Sequence, residues 1–291
     1  MLAGGAVFGW TASSAPISYS DLVARPRPHF TLLQRYGAEP DQFAELFLPE
    51  GQRPVRTIVL LHGGCWLAEL PGVVLMDYLA ADLQKRGYAV WNIEYRRIGE
   101  TGGGYPGTFL DVARAMDLLR DIAPKYGLDL KRLLVIGHSA GGQLALWAAA
   151  RSRLPRDSVL YEANALPIES AISLAGIDDL KSYRENGPAA CGGPSTIDSL
   201  VGPSTATHRD VYSDTSPSQM LPIGVKQILV SGALDPIVPP QFATEYAARA
   251  KAQGDDVQSL VISGAGHFEL IDSTSDAWRQ IVRLVEDVEK R

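Results

Sequence analysis

A chain of 291 residues, 46% hydrophobic and 21% charged, has the composition of a globular protein able to bury a sizeable core. Its 27 basic and 33 acidic residues give a formal net charge of -6, which repels phosphate backbones and argues against nucleic acid as a partner. No run reaches the roughly 18 apolar residues that span a bilayer, so stable membrane insertion is not expected.

Met1 to Ser18 is apolar and rich in small residues. It resembles the second half of a secretory signal, with Ala12 to Ala15 near a cleavage point, but it lacks a basic n-region. The expected location is therefore the cytoplasm. Residues 1–43, which include Arg25-Pro26-Arg27-Pro28, carry no motif and read as an amino-terminal extension. A single domain is expected over residues 44–291.

From Ala44 onward, short apolar runs alternate with helical patterns. Strands are expected over 44–48, 57–61, 88–93, 132–136, 171–174, 227–230 and 257–262. Helices are expected over 73–86, 108–126, 144–151, 241–253 and 274–289. Unbroken apolar strands are buried on both faces, and intervening helices supply crossovers. The pattern predicts a doubly wound, mostly parallel α/β sheet. The connection over residues 177–224 is long and rich in Gly, Pro, Ser and Asp. It is read as a lid-like insertion over the carboxyl edge of the sheet. Trp66, Tyr183 and Leu200 are candidate substrate-pocket residues.

The first expected core strand ends in His62-Gly63-Gly64-Cys65-Trp66. Glycines there let backbone N–H groups converge on one oxygen, so Gly64 and Cys65 are candidate oxyanion donors. The third ends in Gly137-His138-Ser139-Ala140-Gly141-Gly142. A G-x-S-x-G turn between strand and helix exposes its central serine, which makes Ser139 the candidate nucleophile and Ala140 the third donor. A Cβ at Gly137 or Gly141 is expected to collide with the neighbouring strand or helix.

Of the five histidines, His62 and His138 belong to the two turns above, His29 lies in the Pro-rich amino-terminal segment and His208 in the long connection, while His267 lies in a glycine-lined loop directly after an expected strand. It is the candidate general base. Asp235 follows the preceding strand and is the candidate acid, with Asp178, Asp179 and Glu269 as rivals. The order serine, aspartate, histidine fits this type of site. No H-E-x-x-H or C-x-x-C pattern is present, so neither metal nor cofactor is expected. Cys65 and Cys191 form no disulfide framework and are expected to stay unpaired.

Taken together, His62-Gly63-Gly64-Cys65-Trp66, the Ser139 hexapeptide, Asp235 and His267 resemble the α/β-hydrolase superfamily. The likeness spans about residues 44–291. H-G-G-x-W with G-H-S-A-G-G is similar to kynurenine formamidase-like and acetyl-xylan/feruloyl esterase-like hydrolases, and to the wider hormone-sensitive-lipase-like group. Cys65 departs from the third glycine of the lipase-like pattern and from the tyrosine common in formamidases. The resemblance implies a cofactor-free serine hydrolase with a small-molecule ester substrate, an amide or formamide being the alternative. A non-catalytic ligand-binding module on the same fold is a reading of a different class; such modules typically lose a triad member.

Overall fold

The computed structural model of the chain describes residues 16–51 and 53–289. Most of the signal-like stretch expected at the amino terminus lies outside the described residues. Eight strands form one sheet among the described residues: β1 (Leu32–Arg35), β2 (Phe43–Phe47), β3 (Val55–Leu61), β4 (Ala89–Ile93), β5 (Leu128–His138), β6 (Ser170–Leu174), β7 (Lys226–Gly232) and β8 (Val257–Ile262). Their order is β1-β2-β4-β3-β5-β6-β7-β8. The β1–β2 and β2–β4 pairs are antiparallel, and every later pair is parallel. The central strands bury nearly every residue, as their apolar runs demand: β4 and β6 have no exposed position.

Nine α-helices accompany the sheet among the described residues. They are α1 (Tyr19–Val23), α2 (Asp77–Lys85), α3 (Gly107–Asp117), α4 (Leu119–Tyr126), α5 (Ala140–Ala149), α6 (Leu180–Asn186), α7 (Pro194–Val201), α8 (Gln241–Ala252) and α9 (Asp276–Glu289). Helix α5 is apolar but for Gln143 and buried at every position, which makes it the central helix packed on β5 and β6. No helix among the described residues is long and apolar enough to cross a membrane.

Two features depart from the expected organisation. The segment before residue 44 contributes α1 and an edge strand to the same sheet, so its later part packs with the domain. The long connection over 177–224 contains α6 and α7, with Leu180, Tyr183, Ile197, Leu200 and Val201 buried in the core. The strand order reverses between β3 and β5, where β3 runs on to β4 on one side and pairs with β5 on the other. Ligands bind at such a switch point, off the carboxyl ends of the strands. Pairing of Leu61 with Gly137 sets the His62 turn beside the Ser139 turn there.

Candidate active site

Three side chains leave the carboxyl ends of parallel strands. Ser139 follows β5 directly, at φ 57° and ψ -120°, a conformation that an ordinary side chain rarely adopts. The flanking glycines make this possible. A Cβ on Gly137 would lie 1.8 Å from the Gly141 carbonyl oxygen, and one on Gly141 would lie 2.1 Å from that of Leu61. Ser139 is also the N-cap of α5, so the positive end of that helix faces the site.

Asp235 follows β7 and His267 follows β8. The His267 Nδ1–H donates to Asp235 Oδ2 at 2.6 Å. The other carboxylate oxygen, Oδ1, accepts the N–H groups of Ile237 and Val238 at 2.8 and 2.9 Å. Both side chains are buried. Asp235 is thus locked on three donors, and its fixed position selects the imidazole tautomer that leaves Nε2 bare. The rival carboxylates are engaged elsewhere. Asp178 accepts from Ser173 Oγ–H, and burial pushes it up to about 7. Asp179 caps α6 through Ser182 N–H and pairs with Arg249. Glu269 accepts backbone N–H groups from Ile17 and Gly266.

The turn after β3 holds three successive residues in an unusual backbone conformation. Gly64, Cys65 and Trp66 all have positive φ, at 101°, 51° and 57°, and Leu67 N–H closes the turn on the Gly64 carbonyl at 2.8 Å. None of the backbone bonds that organise these loops uses the N–H of Gly64, Cys65 or Ala140 among the described residues. Two non-glycine residues at positive φ are costly, of order 1–3 kcal/mol each. Neighbours hold them in place. The Trp66 indole N–H donates to Gln143 Oε1 of α5 at 3.2 Å. Cys65 is bonded to Cys191, which corrects the expectation that the two stay unpaired. The insertion returns Cys191 to this turn, Cα to Cα 5.3 Å, across a sequence separation of 126 that gives no local signal.

Behind this turn, the His62 Nε2–H donates to Glu94 Oε1 at 2.7 Å, and the ring stacks on Tyr95 at 4.1 Å. Tyr95 O–H donates to the His62 carbonyl, and Val73 N–H donates to Glu94. Burial opposes charge on Glu94, but His62, Arg97 and the Val73 N–H outweigh it and hold the carboxyl down to about 2. His138 is buried beside His267, its Nε2–H donating to the His267 carbonyl at 3.1 Å; burial and the neighbouring imidazole push it well below the ordinary histidine value.

Ser139, His267, Gly64 and Cys65 line one cavity of about 280 Å³. Leu70, Leu75, Ile237 and Phe268 give it an apolar wall, and Ala190 is the contribution of the insertion. Trp66, Tyr183 and Leu200 do not line it. Trp66 is sealed under the turn, Tyr183 O–H donates to the Ile237 carbonyl at 2.9 Å, and Leu200 packs in the core. Sequence reasoning missed Ser18 and Tyr19, which also line the cavity and carry no motif.

A mostly parallel sheet with a strained serine turn at its switch point, and an Asp–His pair after β7 and β8, defines an α/β-hydrolase. A family model described as BD-FAE matches residues 44–249, most of the chain, and the chain belongs to that family. It is 26% identical to esterase LipC of Mycobacterium tuberculosis (strain ATCC 25618 / H37Rv) over 247 residues, covering 81% of this chain and 59% of LipC. It is 37% identical to arylacetamide deacetylase of Oryctolagus cuniculus over 145 residues, 45% of this chain and 33% of that protein. The chain therefore spans less than two thirds of the length of these curated relatives. Esterase B from Lactobacillus rhamnosis, solved inhibited with a C4-C4 tributyrin phosphonate, shares the fold at a TM-score of 0.78 and 18% identity, covering 94% of this chain and 90% of esterase B.

Proposed function

We propose that the protein is a serine hydrolase of the carboxylesterase type, cleaving small carboxylic esters through an acyl-enzyme. The observation that carries this reading is the Asp235–His267 pair sharing one cavity with Ser139 in its strained turn. Ser139 Oγ attacks the carbonyl carbon while His267 Nε2 takes its proton. The oxyanion is received by the N–H groups of Gly64, Cys65 and Ala140. Collapse expels the alcohol, protonated by His267. Water, deprotonated by the same imidazole, then attacks the acyl carbon and releases the acid and Ser139. Asp235 keeps the imidazole oriented and stabilises its cation.

The apolar lining favours an acyl or aryl group over a sugar ring. Tributyrin phosphonate inhibition of esterase B, an analogue of short-chain ester chemistry on the same fold, supports this. The name of arylacetamide deacetylase favours a second substrate class, small aryl amides. The Cys65–Cys191 bridge favours an oxidising compartment over the cytoplasm expected from sequence. The test is hydrolysis of p-nitrophenyl esters beside acetanilides and N-formyl substrates, with Ser139→Ala as control and a fluorophosphonate as covalent label. Ester turnover and labelling that both vanish in Ser139→Ala are expected. Turnover unchanged in that variant overturns the mechanism, and a wild-type protein that neither turns over nor labels is a binding module.

A further inference from the structure

Ser18 and Tyr19 stand in the cavity wall beside Ser139 and His267, although they come from the opposite end of the described chain. Glu269 accounts for their position. Its Oε1 accepts the Ile17 N–H at 2.6 Å, and its Oε2 accepts the Gly266 N–H at 2.9 Å. One carboxylate therefore ties the segment to the loop that carries the general base. The approach is close enough to need glycine, since a Cβ on Gly266 would lie 2.8 Å from Pro16 Cβ. The Tyr19 ring meets the edge of Phe268, the residue after His267, with centroids 6.1 Å apart.

Further along, a second clasp holds the segment. Arg25 donates twice to Asp272, at 2.6 and 2.8 Å, and Tyr78 O–H donates to the Arg25 carbonyl at 3.0 Å. Ser18 and Asp21 close the start of α1 on each other, Asp21 Oδ2 accepting both the N–H and the Oγ–H of Ser18. The segment is thus pinned on both sides of Tyr19, whose own side chain remains 38% exposed at the rim.

A cavity of about 280 Å³ lies just below the usual range for ligand pockets, about 300–1,000 Å³. Removing one wall side chain changes what fits, while the bond-making steps stay with Ser139 and His267. We propose that this amino-terminal strap sets the length of acyl chain the site accepts, with Tyr19 as the specificity-determining residue and Glu269 as the positioning residue that clamps it. The proposal rests on the ester-hydrolase reading and assigns short acyl esters as the preferred substrates.

The experiment compares kcat/KM for p-nitrophenyl acetate, butyrate and octanoate in wild type, Tyr19→Ala, Tyr19→Phe, Tyr19→Trp and Glu269→Gln. Tyr19→Ala is expected to raise the octanoate-to-acetate ratio by at least about tenfold, the effect of relieving a pocket clash. Tyr19→Phe should leave the ratio unchanged, and Tyr19→Trp should lower it. Glu269→Gln loses one of its two acceptors and should move the ratio in the same direction as Tyr19→Ala. A merely structural role would scale all three substrates together. A ratio within about twofold of wild type in Tyr19→Ala, or a common loss across all esters, overturns the proposal and leaves the ester reading standing. A wild type that hydrolyses none of the esters removes that reading and the proposal with it.

Discussion

At the scale of single residues, the site depends on side chains whose partners are already fixed. Asp235 receives the imidazole and two backbone N–H groups, so its replacement by asparagine keeps the shape and loses the charge. An asparagine amide facing Nδ1 favours the tautomer with the proton on Nε2, which cannot accept from Ser139. Asp235→Asn should lower kcat by on the order of 10⁴, as the same change does in a serine protease triad, with little change in KM. Steady-state kinetics check it, and a loss of less than about tenfold would remove Asp235 from the mechanism. The positions of Ser139, Asp235 and His267 were legible because each lies within two residues of a glycine or proline shortly after an apolar run. Tyr19 and Glu269 were not, because their roles depend on a contact between opposite ends of the chain.

At the scale of elements, the turn after β3 and the insertion form a single unit. The bridge from Cys65 to Cys191, the Trp66–Gln143 bond and the bond from Gln143 Nε2–H to the Thr215 carbonyl all join them. The turn holds two non-glycine residues at positive φ, so it relaxes once its supports are cut. A Cys65→Ser/Cys191→Ser double variant should therefore lose kcat by up to about 10²-fold, the scale of one oxyanion donor, with KM changing much less. It should also lose about 2–5 kcal/mol of stability. Parallel kinetics and thermal unfolding separate the two effects, and unchanged kcat would mean the turn holds itself. The helices of the insertion had a readable signal. Ile197, Leu200 and Val201 follow the i, i+3, i+4 spacing behind Pro194 at the first turn, but the surrounding Gly and Ser masked it. The single helix expected over 108–126 breaks into α3 and α4 at Leu118, and Pro124 lies inside the second.

At the scale of the whole molecule, the sheet was the most legible part, because burial on both faces leaves a continuous apolar run in the sequence. What escaped was its edge strand β1. Strand β1 alternates between half-buried and exposed positions, as an edge strand does, and Leu33 is left 39% exposed. Two buried carboxylates should shape the stability of the whole molecule with opposite signs. Glu94 is held down to about 2, below its ordinary value of 4.5, so its contribution is present above pH 4.5 and lost as the pH falls toward 2. Glu45 goes the other way. Burial and the neighbouring Asp77 push it up to about 7 against the pull of Arg27, so its contribution is present below about pH 4.5 and lost as the pH rises through 7. Glu45→Gln should thus gain thermal stability relative to wild type as the pH rises from 5 to 8, and Glu94→Gln should converge on wild type as the pH falls from 5 to 2. Calorimetric scans across that range test both, and parallel curves for wild type and variants would refute the assignment.

The bridge also has a topological consequence. It closes a covalent ring from Cys65 to Cys191 that contains Ser139, while Asp235 and His267 lie outside it. A protease that cuts at the exposed turn Glu162–Asn164 opens the ring but leaves both pieces joined through sulfur, parting only when a reductant is added. A cut in the exposed stretch over 203–207 falls outside the ring, and the piece carrying Asp235 and His267 is then held to the piece carrying Ser139 by non-covalent contacts alone. Whether a nicked chain keeps its parts under denaturing, non-reducing conditions therefore depends on which side of Cys191 the nick falls.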